Sequence, residues 1–371
     1  MKRLSKTLMF LLGLALFVGL GITTAKAATN YTPIGGSTTI TKNLVVESDA
    51  NIPDITFAYT INSGTAAAAT STTVEILASD VNASIGSAAF SNADTPNAIK
   101  GLPTDPQGKP TAGKKYAQKA VTVSFPDNSF TKPGVYRYVI SESNGAKPGV
   151  TYDNTPRYLD VFVVANPDTN ELSVDSYVLR NTESTISKDG EYTTDPGVKS
   201  SGYTNTLTQY DFTFTKAITG NQGDKNKRFT FTLSISNAVP GVYPLETTDV
   251  TGNPQTITIG SDGTFSATYD LTNESSFRII NLNKDAVCSV LEDAQDYSPS
   301  HTLDGGESTG TASSGEVTLA NSDHTVAFTN TRNGIIPTGV LLTIAPFAIG
   351  LLLCGAVVMF IMAKRRRAQY L

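Results

Sequence analysis

Apolar and polar residues alternate with period two along most of the interior of the chain, the spacing of half-buried strands. Thr38 to Leu44, Ile55 to Ile61, Ala120 to Phe125, Val135 to Ile140, Leu159 to Ala165 and Leu172 to Val178 all read this way. Tyr203 to Leu207 reads as a short closing strand. Gly101 to Gly113 carries three prolines and no apolar period, so residues 101–120 read as an exposed loop. Residues 182–202 form a polar excursion. No stretch outside the two ends has helical spacing. The pattern predicts an all-β protein.

The series then starts again at Phe212-Thr213-Phe214-Thr215-Lys216. Lys42 lies 15 residues before Phe57, and Lys216 lies 15 before Phe231. That spacing aligns Ile55, Phe57, Tyr59 and Ile61 with Phe229, Phe231, Leu233 and Ile235. Both halves reach an alternating strand ending in glutamate, at Glu142 and Glu292, and both close on Thr-Asn-Thr, at 204–206 and 329–331. The repeat predicts two tandem β domains, 28–207 and 208–334.

The two ends have different chemistry. Lys2, Arg3 and Lys6 precede an apolar run from Leu8 to Ile22, followed by Ala25-Lys26-Ala27. This order is that of a secretory signal peptide, 1–27, cleaved after Ala27. At the other end an uncharged apolar run, 340–363, is long enough to span a bilayer as a helix, which takes about 20 residues. Lys364 to Arg367 then mark the inner side. Just before the run stands Ile336-Pro337-Thr338-Gly339. In this position, 335–371 resembles the cell-wall sorting signal of Gram-positive bacteria. That resemblance implies that a sortase cysteine attacks the carbonyl of Thr338, Gly339 leaves with the membrane segment, and an amine of another molecule takes the acyl group.

Composition narrows the function. The net charge is −5 and there is no basic stripe, which argues against a nucleic-acid partner. Only 16% of residues are charged, which suits exposed strand faces and turns. The two cysteines, Cys288 and Cys354, make no disulfide framework, because one lies in the soluble part and the other in the apolar run. Cys288 reads as a small core residue. His301 and His324 have no metal-ligand spacing and read as surface residues; no metal and no cofactor are expected.

Three polar residues stand in the apolar register of their strands in each half. Lys42 shares a face with Ile40 and Leu44, Glu142 with Tyr138 and Ile140, and Asn205 with Tyr203 and Leu207. Lys216 keeps company with Phe214 and Ile218, Glu292 with Val290, and Asn330 with Phe328. Burial lowers a lysine pKa and raises a carboxyl pKa. An uncharged amine is a nucleophile, and a protonated Glu can bond an Asn carboxamide and shuttle protons. Attack on the carboxamide with loss of ammonia would leave a Lys–Asn isopeptide bond. Strand-end charges, buried ion pairs and turn asparagines are the alternatives at each position taken alone.

Five phrases resemble the streptococcal T-antigen type of major backbone pilin. They are Thr41 to Leu44, Phe130 to Tyr138, Lys147 to Asp153, Phe328 to Asn330, and Ile336 to Val340. The resemblance runs from the first strand to the sorting signal. It implies two immunoglobulin-like (CnaB-type) sandwiches, each with one self-formed bond: Lys42–Asn205 promoted by Glu142, and Lys216–Asn330 promoted by Glu292. Each bond would join the first and last strands of its domain. Loops of this length would add roughly 4–5 kcal/mol of stability if disulfides are a guide.

The resemblance also implies a lysine that accepts the threonyl group of the next subunit. The chain has no Trp, so the Trp-containing pilin motif of other families is absent. Lys199, six residues before Asn205, is the expected acceptor, with Lys188 next. The implied function is the major subunit of a sortase-assembled pilus at the cell wall, not an enzyme. Its partners would be a pilus-class sortase, identical subunits, minor pilins, peptidoglycan and a host surface, with transient membrane anchoring before sorting. The alternatives are a wall-anchored monomeric adhesin or minor pilin, and a surface enzyme, for which no catalytic constellation is seen.

Overall fold

The computed structural model describes residues 30–102, 113–193, 199–334 and 338–367. The expected signal peptide with Ala27, and Ile336 and Pro337, lie outside them. Two apolar cores account for the soluble part. One gathers residues between Ile40 and Leu207 together with Val239, the other residues between Phe212 and Phe328. Each is enclosed by an immunoglobulin-like sandwich.

The first sandwich is organised around its opening strand, Ile34–Glu47. On one side this strand pairs in parallel with the last strand, Gly202–Leu207. On the other it pairs antiparallel with Lys114–Phe130. The facing sheet runs Leu172–Arg180, Arg157–Ala165, Gly134–Glu142, Tyr59–Ser63. Leu44, Val123, Phe125, Tyr138, Val161 and Tyr203 meet between the two sheets. Burying such side chains contributes roughly 1.5–3 kcal/mol each, which makes the interleaved faces the main stabilising term.

In the second sandwich Gln209–Thr219 again pairs in parallel with the closing strand, His324–Thr331. Its sheets are joined by one long strand, Phe265–Asn283. The first part of that strand pairs with Phe229–Ser236 and the last part with Gln209–Thr219. Between the two pairings Glu274 takes a positive φ of 65° and Ser275 is buried, so the strand turns a corner and changes sheet.

Three expectations need correction. The expected loop 101–120 ends earlier, because Lys114 to Ala120 already pair with Thr41 to Glu47. Lys114, Lys115, Gln118 and Lys119 dilute the apolar pattern there, although Tyr116 and Ala117 are buried. The expected strand 55–61 is two strands. Ile55–Phe57 pairs with Ala88–Phe90, and Tyr59–Ser63 pairs with Gly134–Glu142. His301 is buried rather than superficial, with its ring 5.6 Å from that of Phe328. His324 does lie near the surface, paired with Asp304.

Residues 182–193 of the polar excursion form a strap across the first sandwich. Ile186 and Tyr192 pack on Val135, Phe162 and Val74, on the outer face of the facing sheet. Beneath the strap Arg137 binds Asp160 in bidentate fashion at 2.7 and 2.8 Å, and Tyr192 donates to the same carboxylate at 3.0 Å. Both charged residues are buried.

The domains meet with a single residue, Thr208, between strands Gly202–Leu207 and Gln209–Thr219. Thr208 N–H donates to the Gly149 carbonyl, and its own carbonyl accepts from Lys284 N–H. Asp49, Asn51 and Asp54 bond Asn281, Val242 and Pro240 across the junction. Val239 of the second domain completes the first core.

At the C-terminal end Thr338–Arg367 form one helix. Of the expected membrane segment, side chains are described only at 347 and 349–362. Among the described residues no helix is long and apolar enough to cross a membrane.

Removing one partner of a buried ion pair leaves the other uncompensated. Asp160→Ala should therefore destabilise the first domain by about 3–5 kcal/mol. Denaturant unfolding should show its midpoint falling while that of the second domain stays in place.

Candidate functional site

The parallel ladder between first and last strands sets the geometry. In the first domain Lys42 faces Tyr203 and Leu44 faces Asn205, so lysine and asparagine sit two residues apart on one inward face. In the second domain Lys216 faces Phe328 and Ile218 faces Asn330, with the same offset. The glutamate comes from across the sandwich. Glu142 is opposite Tyr59, and Glu292 is opposite Phe231.

All three expected residues come together in both domains. Lys42 Nζ lies 2.7 and 2.8 Å from the two Glu142 oxygens. Asn205 Nδ2 donates to Glu142 Oε1 at 2.8 Å. Lys216 Nζ lies 2.6 Å from Glu292 Oε1, and Asn330 Nδ2 donates to that oxygen at 2.7 Å. An aromatic ring closes each site beneath the amine. Phe57 is 4.4 Å from Lys42 Nζ, and Phe229 is 4.6 Å from Lys216 Nζ.

This geometry changes the alignment of the halves. Phe57 and Tyr59 hold the places of Phe229 and Phe231, two residues away from the pairing that equal spacing suggests. A slip of two keeps every side chain on its face, so the apolar pattern alone cannot detect it. Sequence reasoning therefore missed Phe57 and Phe229 as the floor of the two sites. The available signal was an aromatic at an inward position two before the residue opposite each glutamate.

Burial sets the protonation. The Lys42 and Glu142 side chains are 0% and 1% exposed, and those of Lys216 and Glu292 are both 0%. Loss of solvent lowers Lys42 to about 8, against the opposing charge of Glu142. It lowers Lys216 to about 8 in the same way, against Glu292. Desolvation also raises Glu142 and Glu292, each opposed by its lysine. Both shifts favour moving the proton from amine to carboxylate, which makes a neutral nucleophile beside a proton donor.

The two sites differ in one respect. Asn205 Oδ1 accepts from the Asp153 backbone N–H at 2.9 Å. In the second site Lys216 Nζ, Glu292 Oε2 and Asn330 Oδ1 are buried without a directed hydrogen bond among the described residues.

The remaining expected residues lie elsewhere. Lys199 is exposed and bridges Arg180 at the edge of the facing sheet. Lys188 is half-buried in a turn of the strap, with its N–H bonded to the Thr72 carbonyl. Thr338 and Gly339 open the terminal helix. Among the described residues no group of three or more His, Cys, Asp or Glu could hold a metal ion. Both cysteines are free, and Cys288 is buried.

The chain thus folds as two immunoglobulin-like domains, each with a buried Lys–Glu–Asn cluster that links its first and last strands to the opposite sheet. Residues 38–208 match the family described as the Spy0128-like isopeptide containing domain. Residues 210–332 match a domain family of unknown function. A curated Streptococcus pyogenes protein named Pilin is 27% identical over 346 residues, covering 89% of this chain and 91% of that protein. The crystal structure of the major pilin from Streptococcus pyogenes matches with a TM-score of 0.50 at 22% identity, over 80% of this chain and 99% of that one. The major pilin T3.2 of the same species matches with a TM-score of 0.50 at 18% identity, over 81% and 98% of the two chains. The likeness in sequence to that pilin and in fold to those structures extends over both domains.

The depressed lysines give a pH test. In Glu142→Gln the Lys42 amine stays buried and loses the carboxylate that raises it, so its folded pKa falls further below the ordinary 10.5. Between those two values the unfolded chain binds a proton that the folded one lacks, so stability should rise with pH. The penalty is full below the folded pKa and is relieved as pH climbs toward 10.5. Denaturant unfolding of Glu142→Gln at pH 7 and 9 should show this rise, and the rise should vanish when Lys42→Met is added.

Proposed function

We propose that the protein is the shaft subunit of a covalently polymerised pilus, with each domain locked by a self-formed Lys–Asn bond. The observation that carries the reading is the repeated cluster. The same three residue types meet at the same ladder offset in two domains, out of water, with the lysine poised to lose its proton. A structural ion pair would need no asparagine on the carboxylate, and an ordinary duplication would not keep all three.

In the proposed reaction the neutral Lys42 amine adds to Cγ of Asn205. Glu142 takes the amine proton and passes it to Nδ2, which leaves as ammonia. Lys216, Glu292 and Asn330 do the same in the second domain. Assembly would use the two ends. A signal peptidase would cut after Ala27, and the segment 340–363 would hold the precursor at the membrane. A pilus-class sortase would then open the Thr338–Gly339 bond and transfer Thr338 to Lys199 of the next subunit. Lys199 is favoured over Lys188 because it is exposed at a sheet edge, whereas Lys188 is half-buried. Such head-to-tail joining does not close on itself and gives a fibre. The fibre would end on peptidoglycan, with minor pilins and a host surface as further partners.

The intact mass of recombinant residues 28–335 should fall short of the sequence mass by two ammonia molecules. Glu142→Ala should restore one of them. A full sequence mass would reduce both clusters to ion pairs. On cells, extracts should give a ladder of multimers that collapses to monomer in Lys199→Arg. A monomeric wall protein, by contrast, would give one band in both strains.

A further inference from the structure

We infer that the backbone N–H of Asp153 is the oxyanion donor for the Lys42–Asn205 reaction, and that Arg157 is the residue that positions it. The inference rests on the cross-linking reading above and adds a group to it. A backbone N–H can only donate. Its 2.9 Å bond to Asn205 Oδ1 therefore fixes which way the carboxamide faces. The oxygen is turned to the 153 loop, and Nδ2 is turned to Glu142. The leaving nitrogen thus faces the carboxyl that must supply its proton.

The step balances in this arrangement. The lone pair of Lys42 Nζ forms a bond to Cγ, and the C=O π electrons move onto Oδ1, where the Asp153 N–H meets the new charge. Glu142 removes one proton from Nζ and delivers one to Nδ2. The C=O bond re-forms, Cγ–Nδ2 breaks, and ammonia leaves. The carboxyl ends as it began. A donor already aimed at the developing oxyanion needs no reorganisation during reaction, which is why such donors are worth much in a dry site.

The loop that carries this donor is held on all sides. Asp153 is fully buried, and its Oδ1 accepts from Thr155 N–H at 3.2 Å. Its Oδ2 accepts from Arg157 Nη2. The same guanidinium donates to the Thr155 carbonyl at 2.6 Å and to the Gly202 carbonyl at 3.0 Å. It also covers the Tyr203 ring at 4.6 Å. Gly202 and Tyr203 open the strand that carries Asn205. One buried arginine therefore ties the donor loop and the acceptor strand into one body. The second domain has no counterpart among the described residues, since Asn330 Oδ1 is buried without a partner.

The test replaces Asp153 by its α-hydroxy acid in the full chain, made by cell-free translation with nonsense suppression. The exchange turns N–H into O and leaves the carboxylate in place. Mass spectrometry of the two cross-linked peptides over time reads both reactions in one molecule. The 42–205 bond should form about 100-fold or more slowly, the size seen when one oxyanion donor is lost. The 216–330 bond should form at its usual rate, and the pH dependence of the 42–205 rate should keep its midpoint. A 42–205 bond at the usual rate would overturn the proposal. So would a moved midpoint, which would assign the effect to charge, or a joint slowing of both bonds, which would assign it to folding. Absence of both bonds from the unmodified chain would instead remove the cross-linking reading itself.

Discussion

A lysine and a glutamate lie side by side out of water in each domain, and the sandwich is built around making that tolerable. An isolated buried charge costs several kcal/mol, and a buried pair recovers this only with close geometry and further hydrogen bonds. Here the geometry comes from the backbone. The parallel ladder fixes lysine and asparagine two residues apart on one face, and the opposite sheet delivers the glutamate. An aromatic ring completes each site below the amine. Displacing any of these strands would leave a charge stranded, so the cluster constrains the register of the sheets as much as the sheets position the cluster.

The same constraint connects stability to chemistry. A pair that would be marginal as an ion pair is favourable as a reactant state, because burial drives the amine and the carboxylate toward neutrality together. In the proposed reaction the lysine becomes part of a neutral amide and the glutamate is left protonated, so the desolvation penalty of both charges would disappear. Two atoms of the second site, Glu292 Oε2 and Asn330 Oδ1, are buried without a hydrogen bond among the described residues, and the proposed reaction gives them a physical reading. They mark a place where polar groups are buried before reaction in an arrangement that reaction would relieve.

Much of this was legible in the residues. Strand positions follow from alternation, and the inward lysines, glutamates and asparagines are visible because each breaks an apolar register. Four things were not legible. The Lys114–Ala120 pairing hid behind three lysines and a glutamine. Phe57 and Phe229 escaped because a slip of two preserves the alternation. The Asp153 donor escaped because a backbone N–H has no sequence signature, and Arg157, which holds its loop, reads like any strand-start arginine. His301 read as superficial because a lone histidine carries no signal of the Phe328 ring it packs against.

The junction at Thr208 bears on how a string of such molecules would bend. Two domains joined by a free linker make a jointed rod with a hinge inside every subunit. Here the linking residue has both backbone groups bonded, and the loop 49–54 grips the second domain from the other side. The two sandwiches therefore turn as one lever. A polymer of these chains would have one compliant joint per subunit instead of two, and its curvature would be decided only where one molecule meets the next.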